Sequence, residues 1–181
     1  DLKGDFGASI WADTIKQTKK VNPGCTVEVL TPDFKGFEPA LKIVFDSKPD
    51  IFSHNVECVE RISKAVRAQA NWQRSLGVLE KSIQHGLRTK TGIMVGLGEE
   101  VEEVKKTMRQ VVDLGVQIFT IGQYLQPTKN HLKVEEYISK EQFELYKEYG
   151  YSIGFKVVES GPLVRSSYHA DEQARMVFNN G

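Results

Sequence analysis

Residues 88–123, RTKTGIMVGLGEEVEEVKKTMRQVVDLGVQIFTIGQ, predict one complete unit of strand, helix and strand. The apolar run that ends at Leu97 is typical of a buried strand. Acidic residues follow at 99–103, where the dipole at the start of a helix favours negative charge. Gly115 predicts the end of that helix, and a second apolar strand follows at 116–121. A helix between two buried strands favours parallel pairing of those strands.

The same alternation extends over most of the chain. Strands are predicted to begin near residues 26, 51, 89, 116 and 155, with helices over 8–21, 37–47, 72–85, 99–114 and 139–154. Successive strands begin 25 to 39 residues apart, which leaves room for a helix in each interval. The predicted fold class is therefore α/β, with about four to five parallel βα units, too few to close an eight-stranded barrel.

Composition excludes several classes of protein. The 181 residues carry 24 basic and 24 acidic side chains, so net charge gives no reason to expect binding to nucleic acid or to an anionic membrane. No apolar run approaches the length of a transmembrane helix. The two cysteines, Cys25 and Cys58, exclude a disulfide framework and any self-contained cysteine-rich metal site in this sequence.

Polar residues follow the predicted strands at their carboxyl ends, where βα folds gather their chemistry. His54, Asn55 and Glu57 follow the second strand, although Asn55 could also simply cap a helix. A structural role is also open for the other polar segments. The glycines at 96 and 98 could simply allow a turn between strand and helix, and residues 123 and 124 could simply be a polar rim. The run 165–168, Arg-Ser-Ser-Tyr, could be a serine turn held by its arginine.

Two other kinds of site have little support. A Ser-His-Asp triad would need a nucleophile elbow, G-x-S-x-G, and the sequence has none. A zinc site built from His54, Cys58 and His131 lacks any usual ligand spacing.

Six runs of the sequence resemble the lipoyl synthase family of radical S-adenosylmethionine (SAM) enzymes, in the family's order and spacing. The runs are 22–34, 54–57, 74–76, 89–99, 120–127 and 161–170. The resemblance implies a partial (βα) barrel of the radical SAM, TIM-like type over residues 1–160. It also implies a C-terminal tail, 161–181, that carries the Arg-Ser-Ser-Tyr motif.

The resemblance also implies an activity, which is sulfur insertion at C6 and C8 of a protein-bound octanoyl chain to form the lipoyl cofactor. The implied cofactors are SAM and two [4Fe–4S] clusters, one that cleaves SAM and an auxiliary one that donates sulfur. The implied partners are an electron donor protein and an octanoylated carrier, such as the glycine cleavage H protein or a 2-oxoacid dehydrogenase E2 domain. Neither nucleic acid nor a membrane is expected, and the implied compartment is the bacterial cytoplasm or the mitochondrial matrix.

By resemblance, eight residues are expected to bind SAM, two each at the ribose, the carboxylate, the adenine, and the side shared by adenine and substrate. In that order they are Asn55, Glu57, Arg74, Lys90, Gly96, Leu97, Gln123 and Tyr124. Ser167 is expected to ligate the auxiliary cluster, and Arg165 to support the loop that carries this serine.

The sequence departs from the family pattern because neither of the family's cysteine motifs is present. Cys25 precedes a strand and Cys58 stands alone on a predicted helix, so neither is expected to be a cluster ligand. The segment 3–7 also departs from the family's Pro-Asp-Gly-Gly pattern. The chain is therefore expected to be the C-terminal portion of such an enzyme and inactive alone. The alternatives are a non-catalytic βα domain that binds a nucleotide or protein partner, and another radical SAM enzyme.

Overall fold

The computed structural model describes residues 4–69 and 71–179 and contains a sheet of five parallel strands. The strands are β1 (Glu28–Leu30), β2 (Ile51–Ser53), β3 (Thr89–Val95), β4 (Ile118–Gln123) and β5 (Val157–Gly161). They lie side by side in chain order, and every neighbouring pair is parallel. The predicted partial barrel of parallel βα units is confirmed.

Helices precede, connect and follow the strands, and five of the seven described helices lie at predicted places. The seven are α1 (Ala8–Val21), α2 (Glu38–Asp46), α3 (Ser63–Val66), α4 (Trp72–Gln84), α5 (Val101–Asp113), α6 (Lys140–Ser152) and α7 (Ala170–Asn179). Side-chain caps stand at the predicted starts of three of them, and at α4 the side chain of Asn71 accepts the N–H of Arg74 at 3.0 Å. Glu100 and Glu103 form a reciprocal capping box at α5, and Ser139 accepts the N–H of Gln142 at 3.1 Å at α6. None of the described helices is long and apolar enough to span a bilayer.

Two segments differ from the prediction. Asn55 caps no helix, because the chain stays irregular to Val59 and the next regular turn is the 3₁₀ turn Glu60–Ile62. Cys58 therefore lies in a loop, and the prediction that it stands on a helix is wrong. The tail contains the regular helix α7, and none of the predicted helices extends beyond residue 154. Helix α7 packs on the sheet, and such tertiary burial is not visible in local sequence.

The two faces of the sheet have different coverings. On one face, Phe119 and Val158 pack with the residues of α4, α5 and α6 in the main apolar core. On the other face, Ile118 and Val157 contact Ala174 and Val177 of α7. Because these strand residues stand at the beginnings of β4 and β5, α7 covers only the N-terminal part of that face. The division of the chain at residue 160 stays a prediction.

Candidate functional site

A cavity of about 400 Å³ opens at the carboxyl ends of the central strands. Its walls come from the loop after β2, the ends of β3 and β4, the start of the loop after β4, and the tail after β5. The lining residues are Asn55, Glu57, Gly92, Ile93, Met94, Thr120, Gly122, Gln123, Leu125, Gln126, Pro127, Val164, Arg165 and Ser166. The carboxyl ends of parallel strands are the usual place for a ligand in a βα fold.

Two glycines inside strands create the room for this cavity. A Cβ on Gly92 would lie 2.1 Å from Oγ1 of Thr120, and one on Gly122 would lie 2.3 Å from the carbonyl oxygen of Val164. Sequence reasoning did not select these glycines. For Gly92 the available signal was an isolated glycine within a predicted strand, which often marks a close approach of another chain segment. Gly122 directly follows the predicted strand 116–121, so it carried no such signal.

Asn55 and Glu57 place polar groups in the cavity. The side-chain Oδ1 of Asn55 is buried and has no hydrogen-bond partner among the residues described. Glu57 has a φ of 73°, a left-handed conformation that is unusual for a residue other than glycine. Its N–H donates to the carbonyl of Gly92 at 3.1 Å, and its carbonyl accepts from the N–H of Met94 at 2.8 Å. The end of β3 therefore holds Glu57 in this strained conformation, as is common at binding sites.

The carboxyl group of Glu57 has an altered affinity for protons. Burial raises the pKa of Glu57, and the nearby Arg67 guanidinium and a hydrogen bond from Asn55 offset only part of this effect. The guanidinium Nη1 of Arg67 lies 3.7 Å from Oε1 of Glu57. The ionised carboxylate can accept hydrogen bonds from two hydroxyl groups, so this site suits a diol.

His54, next to Asn55 in the chain, is a structural residue. Its ring is buried, with Nδ1 3.0 Å from the carbonyl oxygen of Thr31 and Nε2 3.1 Å from Oγ of Ser75. Burial lowers the pKa of His54, which favours the neutral ring. Both ring nitrogens are thus engaged, and His54 ties the end of β1 to α4.

Arg74 lies in a second cavity of about 390 Å³, beside the first. Its Nε donates to Oδ2 of Asp33 at 2.6 Å, and its Nη2 donates to the carbonyl of Gln69 at 3.1 Å. Burial alone would raise the pKa of Asp33, but the N–H of Lys35 and the Arg74 guanidinium outweigh burial and lower it. Arg74 thus lines the second cavity and not the first. Arg67, which sequence reasoning missed, also lines the second cavity, and its guanidinium faces Glu57 of the first.

The structure does not bring Lys90 to either of these cavities. Its ammonium is fully buried and lies 2.8 and 3.1 Å from the two carboxylate oxygens of Glu28. Lys90 precedes Gly92 by two residues on β3, so it lies deeper on the same face of the sheet. Its expected contact with the SAM carboxylate would require the buried ion pair to break, so this position does not favour that role.

Three of the residues expected near the adenine lie behind the cavity wall. Leu97 and Tyr124 form a buried apolar cluster with Cys58, and Gly96 faces the side chain of Gln123. Burial raises the pKa of the Cys58 thiol to about 12, so this sulfur stays protonated. Of the four residues expected at the adenine and substrate side, only Gln123 is a wall of the cavity.

The tail reaches the cavity through Val164, Arg165 and Ser166. Arg165 is exposed and donates to the carbonyl of Val164 at 2.6 Å. Ser167 is also exposed and lies outside the cavity wall. Across 4–69 and 71–179, no three His, Cys, Asp or Glu side chains are grouped so that they could hold a metal ion. Cluster ligation by Ser167 stays a prediction.

Several known proteins with similar sequences are lipoyl synthases. Residues 6–111 match the radical SAM superfamily. The chain is 55% identical over 171 residues to a lipoyl synthase of Rubrobacter xylanophilus, which covers 93% of this chain and 53% of that protein. It is 51% identical to a lipoyl synthase of Phocaeicola vulgatus (94% and 60% covered) and 51% identical to a mitochondrial lipoyl synthase of Nematostella vectensis (95% and 59%). The chain thus spans 53–60% of the length of these relatives.

Solved structures support the fold. A domain of pyruvate-formate lyase-activating enzyme from Bacteroides vulgatus matches with a TM-score of 0.64 at 12% identity, over 88% of this chain and 96% of that one. Methylornithine synthase matches with a TM-score of 0.63 at 11% identity, over 87% of this chain and 53% of that one. Since the superfamily match covers more than half of the sequence, the chain belongs to the radical SAM superfamily.

Proposed function

We propose that the cavity binds SAM and that Asn55 and Glu57 bind its ribose hydroxyls. The observation that carries this proposal is the buried Oδ1 of Asn55, which has no partner within the described part of the chain and lies beside Gly92 in the cavity. An unpartnered buried oxygen is costly, so a ligand that donates a hydrogen bond to it would be favoured. The neighbouring carboxylate of Glu57 supplies further acceptors for the same diol.

The remaining walls are suited to the rest of such a ligand. Met94, Leu125, Pro127 and Val164 give the cavity an apolar side, which accepts a flat base or an alkyl chain. Gly92 and Gly122 allow a ligand to approach the backbone closely. Arg67, close to Glu57 and on the border of the second cavity, can receive a carboxylate. The residues present therefore fit an adenosyl group that carries an amino acid.

We further propose that the protein to which this chain belongs is a lipoyl synthase, which inserts sulfur at C6 and C8 of a protein-bound octanoyl chain. Identities of 51–55% over at least 93% of the chain support this activity. The proposed protein substrate is an octanoylated lipoyl-carrier protein or domain, with an electron donor protein as the second partner. The compartment is the bacterial cytoplasm or, as the name of the Nematostella relative says of that protein, the mitochondrion.

Superfamily membership implies a [4Fe–4S] cluster together with SAM, and that cluster would supply the electron for reductive cleavage of SAM. We propose that a second, auxiliary cluster takes Ser167 as a ligand. Ser167 is an exposed residue that directly follows Ser166 of the cavity wall, which leaves it accessible for this role. Arg165, two residues before it, would keep the loop at the rim and favour an anionic serine oxygen by its charge. The cysteine ligands would come from outside the present sequence, because Cys58 is buried and Cys25 lies before β1.

A chimera tests the proposed activity. It joins residues 1–181 to the preceding segment of the Rubrobacter xylanophilus relative, in a bacterial strain that lacks its own lipoyl synthase. We expect growth without added lipoate and lipoylated carrier proteins on an immunoblot. Ser167→Ala in the chimera should abolish both, whereas Ser152→Ala, a change at the end of α6, should abolish neither. A folded, expressed chimera that yields no lipoylated protein would contradict the proposed activity.

A further inference from the structure

The side-chain amide of Gln123 is fully occupied by the backbone. Its Nε2 lies 3.0 Å from the carbonyl oxygen of Glu136, 3.1 Å from that of Tyr124 and 3.2 Å from that of Val95. Its Oε1 accepts the N–H of Ile138 at 2.9 Å. A primary amide has two N–H donors, and three carbonyls already compete for them. Although Gln123 is a wall of the cavity, it keeps no free donor for a ligand.

Gly96 provides the space that this arrangement needs. Its φ is +99°, and a Cβ there would lie 2.2 Å from Nε2 of Gln123 and 2.4 Å from the carbonyl oxygen of Glu136. The carbonyl of Gly96 also accepts the N–H of Glu135 at 2.9 Å. The family resemblance places Gly96 at the adenine. In the structure, Gly96 makes room for the Gln123 amide and for the chain at Glu136.

These bonds fasten one arm of the loop 124–138, and the other arm forms part of the cavity. Residues 125–127 lie in the cavity wall. The two arms are tied together, since Tyr124 Oη donates to the carbonyl of Leu132 at 2.8 Å and Gln126 Nε2 donates to that of His131 at 2.9 Å. A shift of the returning arm would therefore move the wall as well.

We propose that Gln123 is a positioning residue, whose amide fastens the loop 124–138 to the end of β3 and so sets the wall of the cavity without touching the bound molecule. This inference rests on the proposed function only for the identity of that molecule, SAM. It replaces a direct contact between Gln123 and the ligand with an indirect one through the loop.

Hydrogen exchange of the ligand-free protein tests the fastening. In Gln123→Leu, which keeps a similar volume and removes every hydrogen bond, we expect the amides of Glu135 and Ile138 to exchange about tenfold faster. Gln123→Glu keeps an acceptor for the N–H of Ile138 and loses both donors, so it should accelerate Glu135 more than Ile138. Gln84→Leu, on exposed helix surface, is the matched control and should change neither amide. Unchanged exchange in both Gln123 variants would overturn the inference. If Gln123→Leu fails to fold, Gln123→Glu decides the outcome by the same comparison.

A binding measurement separates positioning from contact. The probes are SAM and its hypoxanthine analogue, which differ at the edge of the base that an amide would contact. If Gln123 positions the wall, Gln123→Leu weakens both ligands by the same factor. If Gln123 contacts the base, the variant weakens SAM alone, and the inference is wrong. Should the wild-type chain bind neither probe, the proposed function fails, while the exchange experiment still decides the role of Gln123.

Discussion

The substitution Gly92→Ala should affect both the stability of the protein and the cavity. The added methyl group would lie 2.1 Å from Oγ1 of Thr120, 3.0 Å from its carbonyl oxygen and 3.4 Å from Oδ1 of Asn55. The Thr120 hydroxyl can rotate away, but the carbonyl belongs to the neighbouring strand β4 and cannot move without displacing the ladder. The new methyl group and the displaced Thr120 side chain would therefore both occupy cavity space.

The size of the effect follows from this crowding. Overpacking of this kind costs about 1–3 kcal/mol of unfolding free energy. We expect SAM to bind at least about tenfold more weakly, equivalent to about 1.4 kcal/mol of binding free energy, because the methyl group lies next to the unpartnered oxygen of Asn55.

Urea denaturation measures the first quantity and isothermal titration with SAM the second, with two other glycines as controls. Gly150→Ala would place a methyl group 2.7 Å from Val158 Cγ2 and 2.8 Å from Met108 Cε, in the core on the other face of the sheet. It should lower stability similarly and leave SAM affinity unchanged. Gly77→Ala, in α4 with open space around it, should stabilise by about 0.5–1 kcal/mol. Wild-type affinity for SAM in Gly92→Ala, or equally weakened binding in Gly150→Ala, would refute the idea that the methyl group acts by crowding the cavity.

Three further predictions concern titratable groups. SAM affinity should fall when the pH drops from about 8 to about 5, because the pKa of Glu57 is raised and only the ionised carboxylate accepts hydrogen bonds from two hydroxyls. Calorimetry should show that this pH dependence is lost in Glu57→Gln. Iodoacetamide at about pH 8 should modify the exposed Cys25 and spare Cys58, whose pKa is about 12, and peptide mass spectrometry that finds Cys58 alkylated in the folded protein would contradict this. Arg74→Met should lower the unfolding free energy by about 1 kcal/mol at neutral pH. The pKa of Asp33 is lowered in the folded state, so the difference in unfolding free energy between wild type and variant should persist above the ordinary pKa of aspartate. It should vanish as the pH falls through the lowered pKa, and urea titrations at several pH values would check this.

Sequence periodicity predicted the parallel sheet because each strand is a short apolar run and each helix has local start or stop signals. The boundaries of β3 and α5 differ from prediction by only a few residues, and the Glu100–Glu103 capping box explains where α5 begins. The loop after β2 escaped prediction because a ladder contact with β3, not local preference, holds Glu57 at positive φ. Helix α7 escaped it because its stability comes from burial of Ala174 and Val177 against distant strands.

The sequence predicted those parts of the candidate site that stand at the carboxyl ends of strands. Asn55, Glu57 and Gln123 were expected near a ligand, and all of them line the cavity. Their individual hydrogen bonds were not predictable, because Gln123 bonds to chain segments that only the fold brings together. The same reason applies to Lys90, which pairs with Glu28 at a separation of 62 residues and so does not reach the cavity.

The most direct test of the account is a titration of the isotope-labelled chain with SAM, followed by two-dimensional NMR. If the cavity binds SAM, the backbone amides of Gly92 and Gly122 and the side-chain amide of Asn55 shift and saturate, and Gly154, in the turn after α6, stays in place. Shifts that are absent up to about 1 mM SAM, or that are confined to residues around Arg74 and Asp33, would contradict the assignment of this cavity as the SAM site.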